Sequence, residues 1–463
     1  MLGADSMQLV GILVGIAVFA AIGILSGLKI KTKADYYIAG QSFGVVSVAS
    51  STAGMFIGGG CVIGTAQLAF TDGFSGVAFS IGCCIAILSM GLGFSRRIRS
   101  GGRQTIQEMI NDEFGRTACA LATLLGVLAF YVNNISQFLS GISLIGSVFP
   151  LSTFHASLIT GAIILVCVFM GGFWGLSYIN TLKSIILIAT SVIAAGTIYA
   201  MSQGLDELAA VLPERFFNAF PRGAGTDLGN IFSAALGIMS TQSTIQAVYA
   251  AKSDNACRAG FTIGALVLPV VGICCTIIGM YMRAVAPEIS SLQAFPMFII
   301  MHTHGFVSGI ILATTLVAVA SAGVSVMLGI ASILVNNIYI KVKPDAGTRS
   351  QLLFSRLVIV ALLILTTVII NSGASDAIMQ YNFLSMGLRF SVLFLPMCAS
   401  LFLPGRIPAA YAMASTVLSP LALLAGNYLF ELPFDSSFLG LAVSAVIMGA
   451  GLIAGNRRRA ALR

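Results

Sequence analysis

Arg389 is the one charged residue in the apolar stretch Ala377 to Leu403. An arginine held at mid-membrane depth costs several kcal/mol unless it is paired or hydrated, so such residues mark functional sites by default. Its planar guanidinium matches a carboxylate with two parallel hydrogen bonds. Asn382 and Ser385 precede it at helical spacing, and the three form one polar stripe. The stripe predicts recognition of an anionic or zwitterionic, carboxylate-bearing small organic solute. A second reading stays open, in which Arg389 ties its helix to carbonyls of a broken neighbour or snorkels to water.

Other polar residues at membrane depth fall into two groups. Asn134 and Gln137 are three apart, which places them near one face of a helix, and Gln242 lies in the run Ser240-Thr241-Gln242-Ser243-Thr244. All three are candidate solute ligands, with plain interhelical hydrogen bonding as the alternative for Asn134 and Gln137. Glycines Gly54, Gly58, Gly59 and Gly60 interrupt one apolar run and Gly237 another. Gly58 and Gly59 are therefore placed beside the solute. No His/Asp or Cys/His constellation shares a depth in the chain, which argues against an enzyme. The cysteines, nine in number, lie mostly inside apolar runs without ligand spacing, so neither a disulfide nor a metal site beyond sodium is expected.

The elements that must position these groups are transmembrane helices. Of 463 residues 57% are hydrophobic and 9% charged, against about a quarter charged in soluble domains. Apolar runs of about 20 residues recur along the whole chain, the length that spans a bilayer as helix. The reading is an all-α polytopic membrane protein, one transport domain over 1–463, with about 13 transmembrane helices. A leading helix spans 8–28, ten core helices span 43–201 and 228–403, and two trailing helices close the chain at 407–454. The net charge of +8 sits in short clusters between apolar runs, which fits loops beside an anionic leaflet better than nucleic acid binding.

Basic residues near span ends stay on the cytoplasmic side. With the N-terminus outside and the C-terminus cytoplasmic, 20 of the 24 lysines and arginines fall inside, Lys183 among them. Arg215, Arg222 and Arg283 fall outside and Arg389 within a span. The expected location is the cytoplasmic (inner) membrane. Core helices one and six then run in opposite directions, so the two five-helix units are inverted repeats. Their matching interruptions point to a binding site at the midplane, where half-helix ends expose backbone groups.

Asp35-Tyr36-Tyr37-Ile38-Ala39-Gly40-Gln41-Ser42, with Ala49-Ser50 and Ile57-Gly58-Gly59-Gly60 after it, resembles the opening signature of the sodium:solute symporter family. Thr105-Ile106-Gln107-Glu108 before Phe114-Gly115, Gly171-Gly172 through Tyr178, Ala250-Ala251-Lys252, and Ala318 to Tyr339 continue the pattern in order. The resemblance covers roughly Asp35 to Arg406. It implies the LeuT-like fold of the APC superfamily, a core of five plus five inverted helices, and sodium-coupled symport of a small solute by alternating access. Thr105 with Glu108 also forms a capping box, which predicts the start of a cytosolic helix and no solute contact.

The resemblance further implies one sodium site, built from the backbone carbonyls of Ala53, Phe56 and Ala318 and the Ser321 hydroxyl. Where the family commonly has a second hydroxyl after Ser321, this chain has Ala322. Asn180 stands where some members hold a second sodium with an acidic residue, which argues against that second site although Ser325 remains. The expectation that no Asp, Glu, His or Lys lies deep in a span argues against proton coupling, since a coupling proton needs a buried titratable group. An uncoupled uniporter or a solute sensor on the same fold is the alternative. Oligomeric state is not legible.

Overall fold

The computed structural model describes residues 5–27, 41–103, 105–202, 206–373, 377–430 and 432–461, with side chains left out at 23–27, 168–177, 458, 460 and 461. Within them the regular elements are helical, as hydrocarbon demands, because a helix satisfies its own backbone. Nine helices are long and apolar enough to cross a membrane, and four shorter apolar ones accompany them. Asp35 to Gly40 of the opening signature, Lys29, Lys31 and Lys33 lie outside the described residues, and Gly171-Gly172 lies outside the described side chains.

Helix α1 (Ser6–Gly27) leads the chain. The first core helix is split, as its glycines predict. Helix α2 (Val45–Phe56) ends at Ile57, a π turn occupies Gly60–Gly64, and α3 (Thr65–Asp72) completes the span. Gly73 follows with φ +57°, and a Cβ there would lie 2.4 Å from the Phe216 carbonyl, so both backbone and space require glycine. Next come α4 (Ala78–Ser89), α5 (Ser95–Gly101) and α6 (Ile106–Val148). Helix α7 (Thr153–Met201) carries the fourth and fifth core helices. Two short elements outside the expected spans follow, α8 (Asp206–Val211) and a 3-10 turn at Glu214–Phe217.

The sixth core helix is split too. Helix α9 (Ala224–Met239) gives way at Ser240-Thr241 to α10 (Gln242–Ala250). Helix α11 (Asp254–Val285), a short α12 (Ala294–His302) outside the expected spans, and α13 (Gly305–Leu334) continue the chain. Helices α14 (Thr348–Asn371), α15 (Ile378–Phe402), α16 (Ala409–Tyr428) and α17 (Ser437–Ala461) complete it.

Between helices in lipid there is little hydrophobic drive, so close approach through small residues holds the bundle. A Cβ on Gly309 of α13 would lie 2.1 Å from the Gln8 carbonyl of α1, and one on Gly264 of α11 would lie 2.5 Å from the Thr52 hydroxyl of α2. Gly237 of α9 is pressed equally closely against Met386 of α15.

One end of the bundle gathers basic loops. Arg99 pairs with Asp254 at 2.8 Å and donates to the Val248 and Ala251 carbonyls at 2.9 and 2.7 Å. Tyr249 donates to the Ile98 carbonyl at 2.6 Å, and Phe43 and Ala251 form a bridge. These bonds close the basic end around the start of α2 and the end of α10. Arg222, Asp227 and Asp435 lie at the other end, where a vestibule of about 530 Å³ opens among Gln67, Asp72, Asn230, Met379 and Phe383.

The Thr105 half of the capping box is present. Thr105 has extended backbone and its hydroxyl accepts the Glu108 N–H at 3.0 Å, starting α6, which then bends at Gly115 with φ +84°. Thr105→Ala should lower stability by about 1 kcal/mol, the usual cost of a lost cap. Thr105→Ser should restore it. The thermal unfolding midpoint of the purified protein in detergent measures both.

Candidate transport site

The two helix breaks meet at one buried cavity of about 50 Å³, room for a few waters. Phe56, Gly58, Gly60 and Cys61 enter it from the first break, Thr241 and Ser243 from the second. Asn133 and Gln137 of α6, Ala322 and Ser325 of α13, and Asn382, Met386 and Arg389 of α15 close it. On α15 the cavity residues Asn382 and Met386 lie one turn beyond the vestibule residues Met379 and Phe383. Phe79 and Phe383 meet edge to face at 6.4 Å between the two spaces, and the Ile378 N–H donates to Gln67 Oε1 at 3.0 Å beside them.

Arg389 is 3% exposed. Its Nη1 donates to Thr241 Oγ1 at the second break at 2.7 Å, its Nε donates to the Ser385 carbonyl at 3.2 Å, and its guanidinium lies 5.1 Å over the Phe130 ring. Its Nη2 is buried without a partner. Gln137 Oε1 is likewise buried without a partner. A Cβ on Gly59 would lie 3.2 Å from that oxygen and 2.4 Å from Ser140, so Gly58 and Gly59 are small to let α6 reach the break. An unmade hydrogen bond on a buried polar atom costs about 1–3 kcal/mol, so these atoms are poised for a polar ligand.

Three expected solute ligands do not reach the cavity. Asn134 turns to α14, where its Nδ2 donates to Thr366 Oγ1 at 2.8 Å. Asn133 takes its place, donating to Asn382 Oδ1 at 2.6 Å, because positions four apart align on this face better than positions three apart. Ser385 donates to the Ala129 carbonyl of α6 at 2.6 Å, so only Asn382 and Arg389 of the stripe face the cavity. Gln242 packs toward Gly329 of α13, with a Cβ on that glycine 3.9 Å from its own, while Thr241 and Ser243 on either side line the site.

Of the residues assigned to sodium, Ala318 lies beside the first break, and Ser321 is bonded to it. A Cβ on Gly58 would lie 3.5 Å from the Ala318 carbonyl and 2.9 Å from Ala322 Cβ. The Ala53 carbonyl accepts the Ile57 N–H and the Phe56 carbonyl the Gly58 N–H, both at 2.9 Å, which leaves each oxygen a second lone pair. Ser321 donates to the Ala318 carbonyl at 3.0 Å. Asn180 packs its Cβ against Gly54, and Ser325 donates to the Ser321 carbonyl at 2.9 Å.

Lys183 overturns one expectation. The charge pattern assigns it to the basic residues of the inner face, with no lysine in span interiors. It is instead 0% exposed on α7, and its Nζ donates to Ser321 Oγ at 2.5 Å. Its neighbours Asn180 and Ser184 are also buried, a polar helical stripe of the same kind that identified Arg389.

The sodium:solute symporter family model matches residues 36–418. The chain belongs to that family. It is accordingly a multi-pass membrane protein and a secondary active solute transporter, not an enzyme. A sodium/pantothenate symporter of Haemophilus influenzae is 25% identical over 382 residues, covering 77% of this chain and 78% of that protein. A high-affinity proline transporter of Bacillus subtilis is 24% identical over 374 residues, covering 75% and 77%. Among solved structures, a substrate-bound, outward-open Na+-coupled sialic acid symporter superposes with TM-score 0.80 at 17% identity over 98% of both chains. A nucleobase-cation-symport-1 family transporter, Mhp1, in a closed conformation gives TM-score 0.57 at 16% identity, covering 92% of this chain and 96% of that one. These likenesses carry the LeuT-like fold.

Gln137→Ala should weaken solute binding up to roughly tenfold, the loss of one hydrogen bond, with unfolding unchanged. Asn134→Ala should do the reverse, lowering stability by about 0.5–1.5 kcal/mol and sparing affinity. Solute-induced thermal shifts and apo melting midpoints of the two variants separate the roles.

Proposed function

We propose that the chain carries a small carboxylate-bearing solute, anionic or zwitterionic, across the cytoplasmic membrane together with one sodium ion by alternating access. The observation that carries the solute class is the buried, unpartnered Nη2 of Arg389 beside the second helix break. A carboxylate there accepts from the guanidinium fork while Asn133, Gln137 and Asn382 bind the polar remainder. The solutes in the names of three similar proteins, pantothenate, proline and sialic acid, are all carboxylates, which supports the same class.

The single sodium site is assigned to the carbonyls of Ala53, Phe56 and Ala318 and the Ser321 hydroxyl. The core divides into inverted units at 43–201 and 228–403. The basic end is cytoplasmic, with the N-terminus outside, since basic loops are retained inside. The vestibule then opens outward above a closed cytoplasmic end.

A thermal-shift screen of small carboxylates against purified protein, beginning with pantothenate, proline and sialic acid, identifies the solute, because ligands of the folded state raise its melting temperature. Uptake of that solute into proteoliposomes should be faster under an inward sodium gradient than under a proton gradient or none. Equal rates in all three would sink the coupling. Arg389→Lys and Arg389→Gln should each weaken binding of the anionic solute at least tenfold in folded protein. Unchanged affinity in Arg389→Gln would remove the carboxylate assignment.

A further inference from the structure

Arg389 Nη2 and Gln137 Oε1 are both buried without a partner among the described residues, and both side chains line the same cavity. Their needs are opposite. A guanidinium N–H donates and cannot accept, whereas an amide oxygen accepts and cannot donate. A carboxylate satisfies the first atom and leaves the second unmet. A ligand that satisfies both brings an acceptor to Arg389 and a donor to Gln137.

The remaining polar lining leans the same way. Asn133 commits its Nδ2 to Asn382 Oδ1 at 2.6 Å, and Asn382 Nδ2 turns to the Met379 sulfur at 3.7 Å. Thr241 donates its hydroxyl proton to the Gly237 carbonyl and Ser325 its own to the Ser321 carbonyl, each at 2.9 Å. With those protons committed, both hydroxyls can only accept from a ligand. The two orphaned atoms also belong to different breaks. Gln137 Oε1 stands at the first, 3.8 Å from a Cβ on Gly58, and Arg389 is bonded to Thr241 at the second.

Size and charge narrow the donor. The cavity of about 50 Å³ holds about three to five water-sized volumes, which suits a molecule of a few heavy atoms with its donor close to its carboxylate. Arg389 is the one charged side chain in the described lining. A monoanion cancels its charge. A zwitterion would leave one positive charge uncompensated in low dielectric, and a dianion would bring a carboxylate that finds no second cation in that lining. A neutral hydroxyl is the donor that fits. Phe56, Phe79, Val326 and Met386 supply apolar walls for a short carbon skeleton.

We propose that the solute is a short hydroxy monocarboxylate, about two to four carbons long, with its carboxylate on Arg389 and its hydroxyl donating to Gln137. This rests on the carboxylate reading of Arg389 in the preceding section and narrows it to a monoanion that bridges the two helix breaks. A deoxy acid leaves the Gln137 oxygen buried and unpaired, and a site built to bond a hydroxyl rejects the analogue that lacks it for that reason.

Lactate, propionate and alanine share one skeleton and differ at one position, which carries a hydroxyl, a hydrogen or an ammonium. Their dissociation constants are measured by isothermal titration on purified full-length protein in sodium buffer, with melting midpoints reporting folding. The wild type should bind lactate about tenfold or more tighter than propionate or alanine. Gln137→Met keeps the length of the side chain and removes the amide. In it lactate and propionate should bind within about threefold of each other, and Gln137→Leu repeats the comparison. Arg389→Gln should weaken lactate and propionate alike, by about tenfold or more.

Equal wild-type affinity for lactate and propionate, with both weakened in Arg389→Gln, would overturn the hydroxyl assignment and leave the carboxylate reading standing. So would a lactate preference kept intact in folded Gln137→Met and Gln137→Leu. Tightest binding of alanine would overturn the monoanion. If none of the three binds while a larger carboxylate does, the proposal falls on size. If no carboxylate binds, or Arg389→Gln leaves their affinities unchanged, the carboxylate reading itself falls and the proposal with it.

Discussion

Inside hydrocarbon, every backbone N–H and carbonyl must find a partner within the protein, and this chain breaks two helices there. The rest of the structure is arranged around that constraint. Ile57 and Gly58 bond back to Ala53 and Phe56, and Thr241 at the second break bonds to Arg389. Helix α6 covers the first break through Ser140 and Gln137, while α15 covers the second through Arg389. The breaks are therefore walled in by protein, with their spare backbone valences turned toward one small cavity. Irregular backbone survives at such depth where it lines a cavity of this kind.

The helical fold was legible because its signal is redundant: long apolar runs, basic clusters between them and glycines at the two interrupted helices all point one way. Both breaks fell where glycine and polar runs placed them, at Gly58 and at Ser240-Thr241. The short α12 was missed because nine residues of apolar sequence beside Ser291 resemble a loop as much as a helix. Side-chain direction was less legible. A helix advances 100° per residue, so Asn134 and Gln137, three apart, differ by enough to face different neighbours, whereas Ser385 shares a side with Arg389 and is taken out of the cavity by its bond to the Ala129 carbonyl. Gln242 lies between two cavity residues and still faces α13.

Lys183 shows a different limit. Charge counting treats each lysine as a label of sidedness, which works when the residue reaches water. A lysine buried among Asn180, Ser184 and Ser321 carries the same letter and the opposite meaning. The deciding information was the polar stripe around it. The stripe stands out around Arg389, in an otherwise charge-free span, and is masked around Lys183 by its place near a span's start.

The two buried cations together constrain what transport can do. Arg389 lines the cavity, while Lys183 donates to Ser321 of α13. Two positive charges beside a cavity whose described lining holds no carboxylate are a costly arrangement in low dielectric. An anionic solute on Arg389 neutralises the first. A solute-loaded core of constant, low charge is easier to carry through the membrane interior than one whose charge climbs with each ligand.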